Sequence, residues 1–522
     1  MKHHRTITTL LVFILNILCF SQFAGGSGTY EDPYLIETAE QLNQVRNYMT
    51  SSFKQIADID LGVPPWNEGT GWDPIGDYDP WDDTKSFRGN YNGNSYSIYN
   101  LFIERPFESD LGLFGSILGC KIKNIRLINF LINSEGSCTI GGISGMAYEN
   151  DVSECNSEGK IFGHSEIGLL FGFFEQNSIS NCHVKGEITA TGSYIGGLVG
   201  LCSVTDSIKN CSSEVTINCN KFYTGGLLGY SVDTYIINGC YSICNILSSS
   251  DDDCVGGLIG GLDIVFNDCI ISDSFSGGSI SSEASAVGGF IGIINSEKNC
   301  QIANSYSQVD VIGIDYTGGF AGYLIKNTSI ANCYSTGLVT GNEDVGGFVG
   351  RIDSLNSVTV TNSYWDMETS GIDSSAAGEG RTTAEMTLPY GDDTYVGWDF
   401  DFVWADDIYN LNAGYPRLEW ACGIEENDDD FVAGVKGFEL YQNYPNPFNP
   451  VTQIKFDLAK SSEVKLSVYN ISGQLVSELT KGIMKAGKYS VEFDGKNLNS
   501  GVYYYVLSAD KKMQSRQMLL LK

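Results

Sequence analysis

One five-residue unit recurs along the middle of the chain and restricts the fold more than any other feature. Gly196-Gly197-Leu198-Val199-Gly200 is followed by Gly225-Gly226-Leu227-Leu228-Gly229, Gly256-Gly257-Leu258-Ile259-Gly260, Gly288-Gly289-Phe290-Ile291-Gly292, Gly318-Gly319-Phe320-Ala321-Gly322 and Gly346-Gly347-Phe348-Val349-Gly350. Weaker copies precede them at Leu111-Gly112-Leu113-Phe114-Gly115, Gly141-Gly142-Ile143-Ser144-Gly145 and Gly168-Leu169-Leu170-Phe171-Gly172. The nine copies step by 30, 27, 28, 29, 31, 32, 30 and 28 residues. A period of this length signals a solenoid, in which each repeat buries its apolar face against its neighbours.

Each repeat carries a second fixed part. In Ile179-Ser180-Asn181-Cys182 and Ile330-Ala331-Asn332-Cys333, a β-branched residue is followed by a turn-former and then by a small side chain. That last column runs Ile125, Cys155, Cys182, Cys211, Cys240, Ser274, Ser305, Cys333, Ser363, often with an aromatic next, as at Tyr241, Phe275, Tyr306, Tyr334 and Tyr364. Short runs rich in Ile, Val and Tyr, bounded by Gly, Asn and Ser, read as strands and corners. The spacing predicts a right-handed parallel β-helix with about three short strands per coil and nine coils at about 4.8 Å, a rod of roughly 40 Å. Ile and Cys lie three apart, so a flat strand would point them to opposite faces. An Asn corner in the left-handed conformation resolves this. The glycine pair predicts a close backbone approach, and the Leu, Ile or Phe after it is expected to point inward.

Residues 1–21 have the layout of a signal peptide. Lys2 and Arg5 are followed by an apolar stretch from Ile7 to Phe20, too short to span a membrane, with cleavage expected after Ser21. A formal net charge of −32 argues against nucleic acid and anionic membranes as partners and leaves Ca²⁺ open. Fourteen of the fifteen cysteines lie beyond the signal peptide. Neighbouring coils bring equivalent Cα atoms within disulfide reach. Two alternatives stand: disulfides among Cys155, Cys182, Cys211 and Cys240 and between Cys269 and Cys300, or a buried ladder of thiols exchangeable with serine.

Residues 22–110 read as a cap on the first coil. It includes a short helix after Thr38, with Gln41 placed for a capping box. The solenoid body spans 111–365, an exit segment 366–422 and an acidic linker 423–437. Residues 438–522 form a separate unit of alternating strands with the pattern of an immunoglobulin-like β-sandwich. The fold class is therefore all-β throughout.

The repeats, with Pro33-Tyr34-Leu35-Ile36 and Phe87-Arg88-Gly89-Asn90 before them and Gly414-Tyr415-Pro416-Arg417-Leu418 after, resemble the GLUG repeats of bacterial surface proteins. The last unit closely resembles the type A C-terminal sorting domain of the type IX secretion system. Tyr444-Pro445-Asn446-Pro447-Phe448-Asn449-Pro450, Gly473, Gly501 and the terminal Lys522 carry that resemblance. It implies the type IX secretion machinery as a partner, export across a Gram-negative outer membrane, and either release or anchoring to surface lipopolysaccharide. Some GLUG proteins carry this region ahead of an IgA-cleaving metalloprotease. That enzyme needs a His-Glu-x-x-His helix, and no His-Glu pair occurs in this chain.

The expected role is non-catalytic: adhesion, binding of a glycan or other surface partner, or a structural spacer. The alternative is a polysaccharide lyase or glycoside hydrolase on the β-helix, which needs carboxylates clustered on one face. Asp58 with Asp60, and the run Asp251 to Asp253, read instead as loop residues. The sharpest break in the repeat, Val63 to Lys85, makes Trp66, Trp72, Tyr78 and Trp81 the candidate sugar platform, with a packed lid as the other outcome.

Overall fold

The computed structural model describes residues 22–136, 138–249, 254–353, 357–408, 410–421, 439–443, 445–458, 462–470, 474–484, 487–509 and 512–521. The signal peptide, the Asp251–Asp253 run, the linker 423–437, Tyr444, Gly473 and Lys522 lie outside these.

The repeats stack as a parallel β-solenoid with every inter-coil pairing in parallel register. A coil contains four strand segments, one more than the sequence suggests. In the third coil they are Ser165–Gly168, Phe171–Glu175, Ser178–Ser180 and His183–Ala190. The last two are separated only by the Asn181-Cys182 corner and belong to one sheet. The coil therefore has three faces.

The glycine pair makes the first corner. One strand ends on the first glycine and the next begins two residues after the second, as in Ile195–Gly196 and Val199–Ser203. Packing explains the glycines. A Cβ on Gly196 would sit 2.0 Å from the Val199 carbonyl oxygen, and one on Gly197 would sit 2.1 Å from the Gly226 carbonyl oxygen of the next coil. The residue after the pair is fully buried in all nine coils: Leu113, Ile143, Leu170, Leu198, Leu227, Leu258, Phe290, Phe320 and Phe348. The last three stack face to face at 4.7 and 4.8 Å.

The second corner is left-handed in every coil, from Asn124 (φ 56°) through Asn181 (53°), Asn210 (53°), Asp273 (52°) and Asn304 (50°) to Asn362 (46°). Asn and Asp tolerate this conformation at least cost after Gly. The small residue that follows closes the turn. Cys155, Cys182, Cys211 and Cys333 each donate Sγ–H to the carbonyl two residues back at 3.3 Å, and Ser274, Ser305 and Ser363 donate Oγ–H to the equivalent carbonyl at 2.8 to 2.9 Å. Cysteine and serine alternate here because either can make that bond from a buried position.

The N-terminal cap prolongs the same sheet. Tyr34–Ile36, Ser52–Gln55, Asn90–Asn92 and Lys121–Lys123 pair in succession. Helix Ala39–Gln44 starts at Thr38, whose side chain accepts from the Gln41 N–H. Gln41 returns its side chain to the Glu37 N–H at 2.8 Å rather than to Thr38, so the expected capping box is only half formed. Phe23 stacks on Tyr34 at 4.4 Å and meets Tyr48 and Phe53, plugging the end of the core.

The exit segment does more than close the last coil. It turns back along the outside of the large sheet and buries the aromatic ladder of Tyr241, Phe275, Tyr306, Tyr334 and Tyr364 under Trp398, Trp404, Tyr395, Tyr415 and Leu418. The first four ladder rings lie 4.9 Å apart and within 3° of parallel. Farthest along this strap, Trp420 reaches Tyr241 and Phe275 and donates Nε1–H to the Asp273 carbonyl at 3.0 Å. The strap thus overlies five coils.

The C-terminal unit consists of two antiparallel sheets. One contains Glu439–Leu440, Val451–Leu458 and Gly487–Asp494; the other Leu475–Met484, Ser462–Asn470, Gly501–Ala509 and Lys512–Leu520. Their core includes Ile454, Phe456, Leu466, Val468, Tyr505 and Met518. Among the described residues no helix is long and apolar enough to cross a membrane.

Candidate functional site

The cap loop distributes its aromatics between core and surface. Trp72 is 0 % exposed and donates Nε1–H to the Leu113 carbonyl at 3.0 Å. Trp66 packs against it with ring centres 5.4 Å apart, partly buried on the same core. Tyr78 is 37 % and Trp81 93 % exposed. Tyr78 stacks on Tyr148 of the second coil at 5.5 Å. The four candidate residues therefore do not form one platform: the two tryptophans hold the lid down, and Tyr78 belongs to a different surface.

That surface is the outer side of the sheet that starts after the glycine pair. Its rings come from two positions, two residues before the first glycine and five residues after it. The first gives Tyr194, Tyr223 and Tyr316, all at left-handed corners. The second gives Tyr230 and Tyr323, on the strands Leu228–Val232 and Ala321–Leu324. All are half-buried. Tyr194 meets Tyr223 at 5.8 Å, Tyr223 meets Tyr230 at 4.3 Å and Tyr316 meets Tyr323 at 5.1 Å. The last two pairs are inclined at 35° and 38°, unlike the parallel rings of the ladder under the strap. Phe173, at the second position, and Tyr148, two residues beyond that position on its own strand, continue the row toward Tyr78.

Carboxylates accompany the rings. Tyr230 donates its hydroxyl to Asp263 of the next coil at 2.6 Å, and Tyr323 donates to Asp353 of the coil after it. Burial, reinforced by the carboxylate partner, pushes the Tyr323 hydroxyl up to about 12, and the Tyr323 hydrogen bond holds the Asp353 carboxyl below its usual range. Arg351 lies over Tyr316 and Tyr323 at 4.8 and 5.7 Å and pairs with Asp344 and Asp353, each at 3.1 Å. Neither position is constant across the repeats, so the face is absent from the motif.

A second feature lies at the cap. A cavity of about 500 Å³ is lined by Arg46, Asp73, Asp77, Lys85, Glu108 and Asp110 among others. Asp110 accepts from the Thr139 hydroxyl, yet burial, with the Asp77 charge adding to it, pushes its carboxyl up to about 6. Among the described residues no group of His, Cys, Asp and Glu is arranged to hold a metal ion.

The cysteine column is sealed. Cys155, Cys182, Cys211 and Cys240 are 0 % exposed, and burial pushes the thiols of Cys155, Cys182 and Cys211 well above their ordinary value. Cys269 and Cys300 are register partners in adjacent coils.

In the C-terminal unit, the proline-rich segment clamps the last strand. Phe448 is buried and donates its N–H to the Leu519 carbonyl at 2.9 Å, while its carbonyl accepts from Leu521 at 3.0 Å. The Asn446 side chain accepts from the Leu519 N–H at 2.9 Å, and Gly501 opens the strand that pairs with this one, opposite Leu520. Residues 442–521 match the secretion system C-terminal sorting domain.

This is a β-solenoid protein with a type IX sorting domain. The sorting domain implies secretion across a Gram-negative outer membrane and dealings with the secretion machinery. The chain is also 39% identical over 165 residues to a "Putative Gly-rich membrane protein" of Evansella cellulosilytica, covering 28% of this chain and 18% of that protein. It is 29% identical over 150 residues to "Halomucin" of Haloquadratum walsbyi, covering 27% of this chain and 2% of that one. The aligned part thus spans less than a fifth of either relative. A solved structure described as a "putative immunoglobulin A1 protease from Bacteroides ovatus" is similar at 18% identity and TM-score 0.35, over 76% of this chain and 96% of that one.

Proposed function

We propose that the secreted protein is a non-catalytic binding protein displayed at the outer surface of the cell that exports it, with the solenoid as the ligand-bearing body. The observation that carries this is the outer tyrosine face. Half-buried aromatic rings beside hydrogen-bonding carboxylates recognise ligands without moving a proton, since burial and the carboxylate partner hold the Tyr323 hydroxyl in its neutral form. The GLUG resemblance and an adhesive role fit such a body, and attachment through surface lipopolysaccharide is the mode its sorting-domain resemblance suggests.

One observation favours a second reading, a polysaccharide lyase or hydrolase. Asp110 has a carboxyl raised to about 6 beside Asp77 in an open cavity, which is the environment of a general acid. The test is to incubate the purified protein, with and without Ca²⁺, with a panel of polysaccharides and glycoproteins and to record retention and polymer size together. Retention without shortening supports the binding role. Shortening of any polymer refutes it and directs mutagenesis to Asp110 and Asp77. Neither outcome leaves a structural spacer.

A further inference from the structure

The tyrosine face contains the same three-residue arrangement twice. Tyr223, Tyr230 and Asp263 make one copy; Tyr316, Tyr323 and Asp353 make the other. In each, a tyrosine at the left-handed corner leans on a tyrosine of the strand, and the latter donates its hydroxyl to an aspartate of the following coil. Tyr230, Gly261, Ile293 and Tyr323 are successive register partners, so the two copies lie three coils apart along one column. That separation is about 14 Å, three steps of roughly 4.8 Å. Gly261, the register partner of Tyr230, makes room for the first copy: a Cβ there would meet the Tyr223 ring at 2.5 Å and the Tyr230 ring at 3.0 Å.

We propose that the two copies are linked subsites for one extended, neutral polysaccharide chain lying along the solenoid axis. This rests on the binding role proposed above and specifies its ligand. A pyranose presents C–H bonds on one face and hydroxyls around its edge. The half-buried rings of the first copy offer apolar surface, and in the second copy Arg351 lies over both rings. Asp263 takes a hydrogen bond from Tyr230, Asp353 takes one from Tyr323 and one from Arg351, and each keeps further lone pairs for sugar hydroxyls. The coil pitch is close to the length of one sugar residue, so a chain can run from copy to copy without leaving the face. Charge selects against an anionic polymer. The subsites end in carboxylates, the whole chain carries −32, and the nearby cation, Arg351, is already paired with Asp344 and Asp353.

Two linked subsites make affinity depend on ligand length. The test titrates the full-length protein with neutral gluco-, manno- and xylo-oligosaccharides from disaccharide to octasaccharide, and with a uronic-acid polymer as the charged comparison. For at least one neutral series, affinity is expected to rise steeply once the oligomer spans both copies. Tyr230→Ala or Tyr323→Ala should lower the affinity of the long oligomers about tenfold or more and flatten the dependence on length. Tyr230→Phe and Tyr323→Phe keep the rings and should weaken binding severalfold, with melting temperatures showing that each variant is folded. Retention of neutral chains that is indifferent to all four variants overturns the site while leaving the binding role intact. Preference for the uronic-acid polymer overturns the ligand class. Failure to retain any polysaccharide or glycoprotein overturns the binding role itself.

Discussion

Tyr334 is the point where the strap can be loosened by a controlled amount. Its ring is fully buried, stacks on Tyr306 at 4.9 Å, and lies about equally far from Trp404 and Tyr415, at 6.0 Å each. Its hydroxyl donates to the Pro416 carbonyl at 2.7 Å and accepts from the Asn412 amide at 2.9 Å. In Tyr334→Phe neither partner is orphaned, because Asn412 still donates to the Tyr415 and Pro416 carbonyls at 3.2 and 3.0 Å. The cost is therefore that of an ordinary hydrogen bond, about 1 kcal/mol, which raises the population of the open strap about fivefold. Tyr334→Ala removes the ring as well and should cost about 3–5 kcal/mol, about a hundredfold or more in the same population. The assay is native-state hydrogen exchange read by mass spectrometry over residues 395–421, with the peptide around Leu198 as internal reference. The reasoning predicts graded loss of protection in the strap and none at Leu198, which lies four coils away. Wild-type protection of the strap in Tyr334→Ala, or equal loss at both places, would refute the idea that this ring anchors a locally opening segment.

Three further outcomes are expected. Phe320→Ala, which empties the middle of the Phe290–Phe320–Phe348 stack, should destabilise the solenoid by about 3–5 kcal/mol in denaturant unfolding, whereas an effect under about 1 kcal/mol would mean that the coils repack around the gap. Cys155, Cys182, Cys211 and Cys333 should resist alkylation in the native protein and react only on unfolding, with Tm unchanged by reductant; disulfide-linked peptides in a digest would contradict this. The Asp110 carboxyl, raised to about 6 from an ordinary 3.8, holds its proton more tightly in the folded state, so its contribution to stability is present at the lower value and lost as pH rises through the higher one. Asp110→Asn should therefore raise stability at pH 7.5 by about 3 kcal/mol and leave it nearly unchanged at pH 3.5; parallel melting curves for both proteins across this range would exclude the mechanism.

The architecture was legible because the repeat encodes constraints common to every coil. Glycines are needed where a Cβ would strike the next coil's carbonyl, Asn where the chain must turn left-handed, and a large apolar residue between the sheets. The sorting domain was legible for a similar reason: Pro445 to Pro450 and the terminal strand are one clamp written as two motifs. Features that belong to particular coils were not legible. Tyr223 and Tyr316 occupy left-handed corners where sequence reasoning expects Asn or Gly, and their partners Tyr230 and Tyr323 sit at a position filled elsewhere by Leu201, Gly261 or Ile293. Counting tryptophans pointed instead to the cap loop, although aromatic content does not distinguish a ring that binds from one that packs, as Trp72 shows. Exposed carboxylates such as Asp60, hydrogen-bonded to Asn100, serve turns. The strap could not be foreseen, since Trp420 and Asp273 are 147 residues apart.

That strap also changes how the solenoid bears load. Coils joined only to their neighbours come apart one at a time when the last is pulled, each yielding at the force that breaks a single interface. Here a pull applied beyond residue 421 first reaches Trp420, which lies against Tyr241 and Phe275, on coils well inside the stack rather than the final one. Tension is carried as shear across five aromatic rungs at once, instead of peeling the end coil away. For a protein whose C-terminal side leads to its secretion domain, the stalk is reinforced on the side from which it would be tugged.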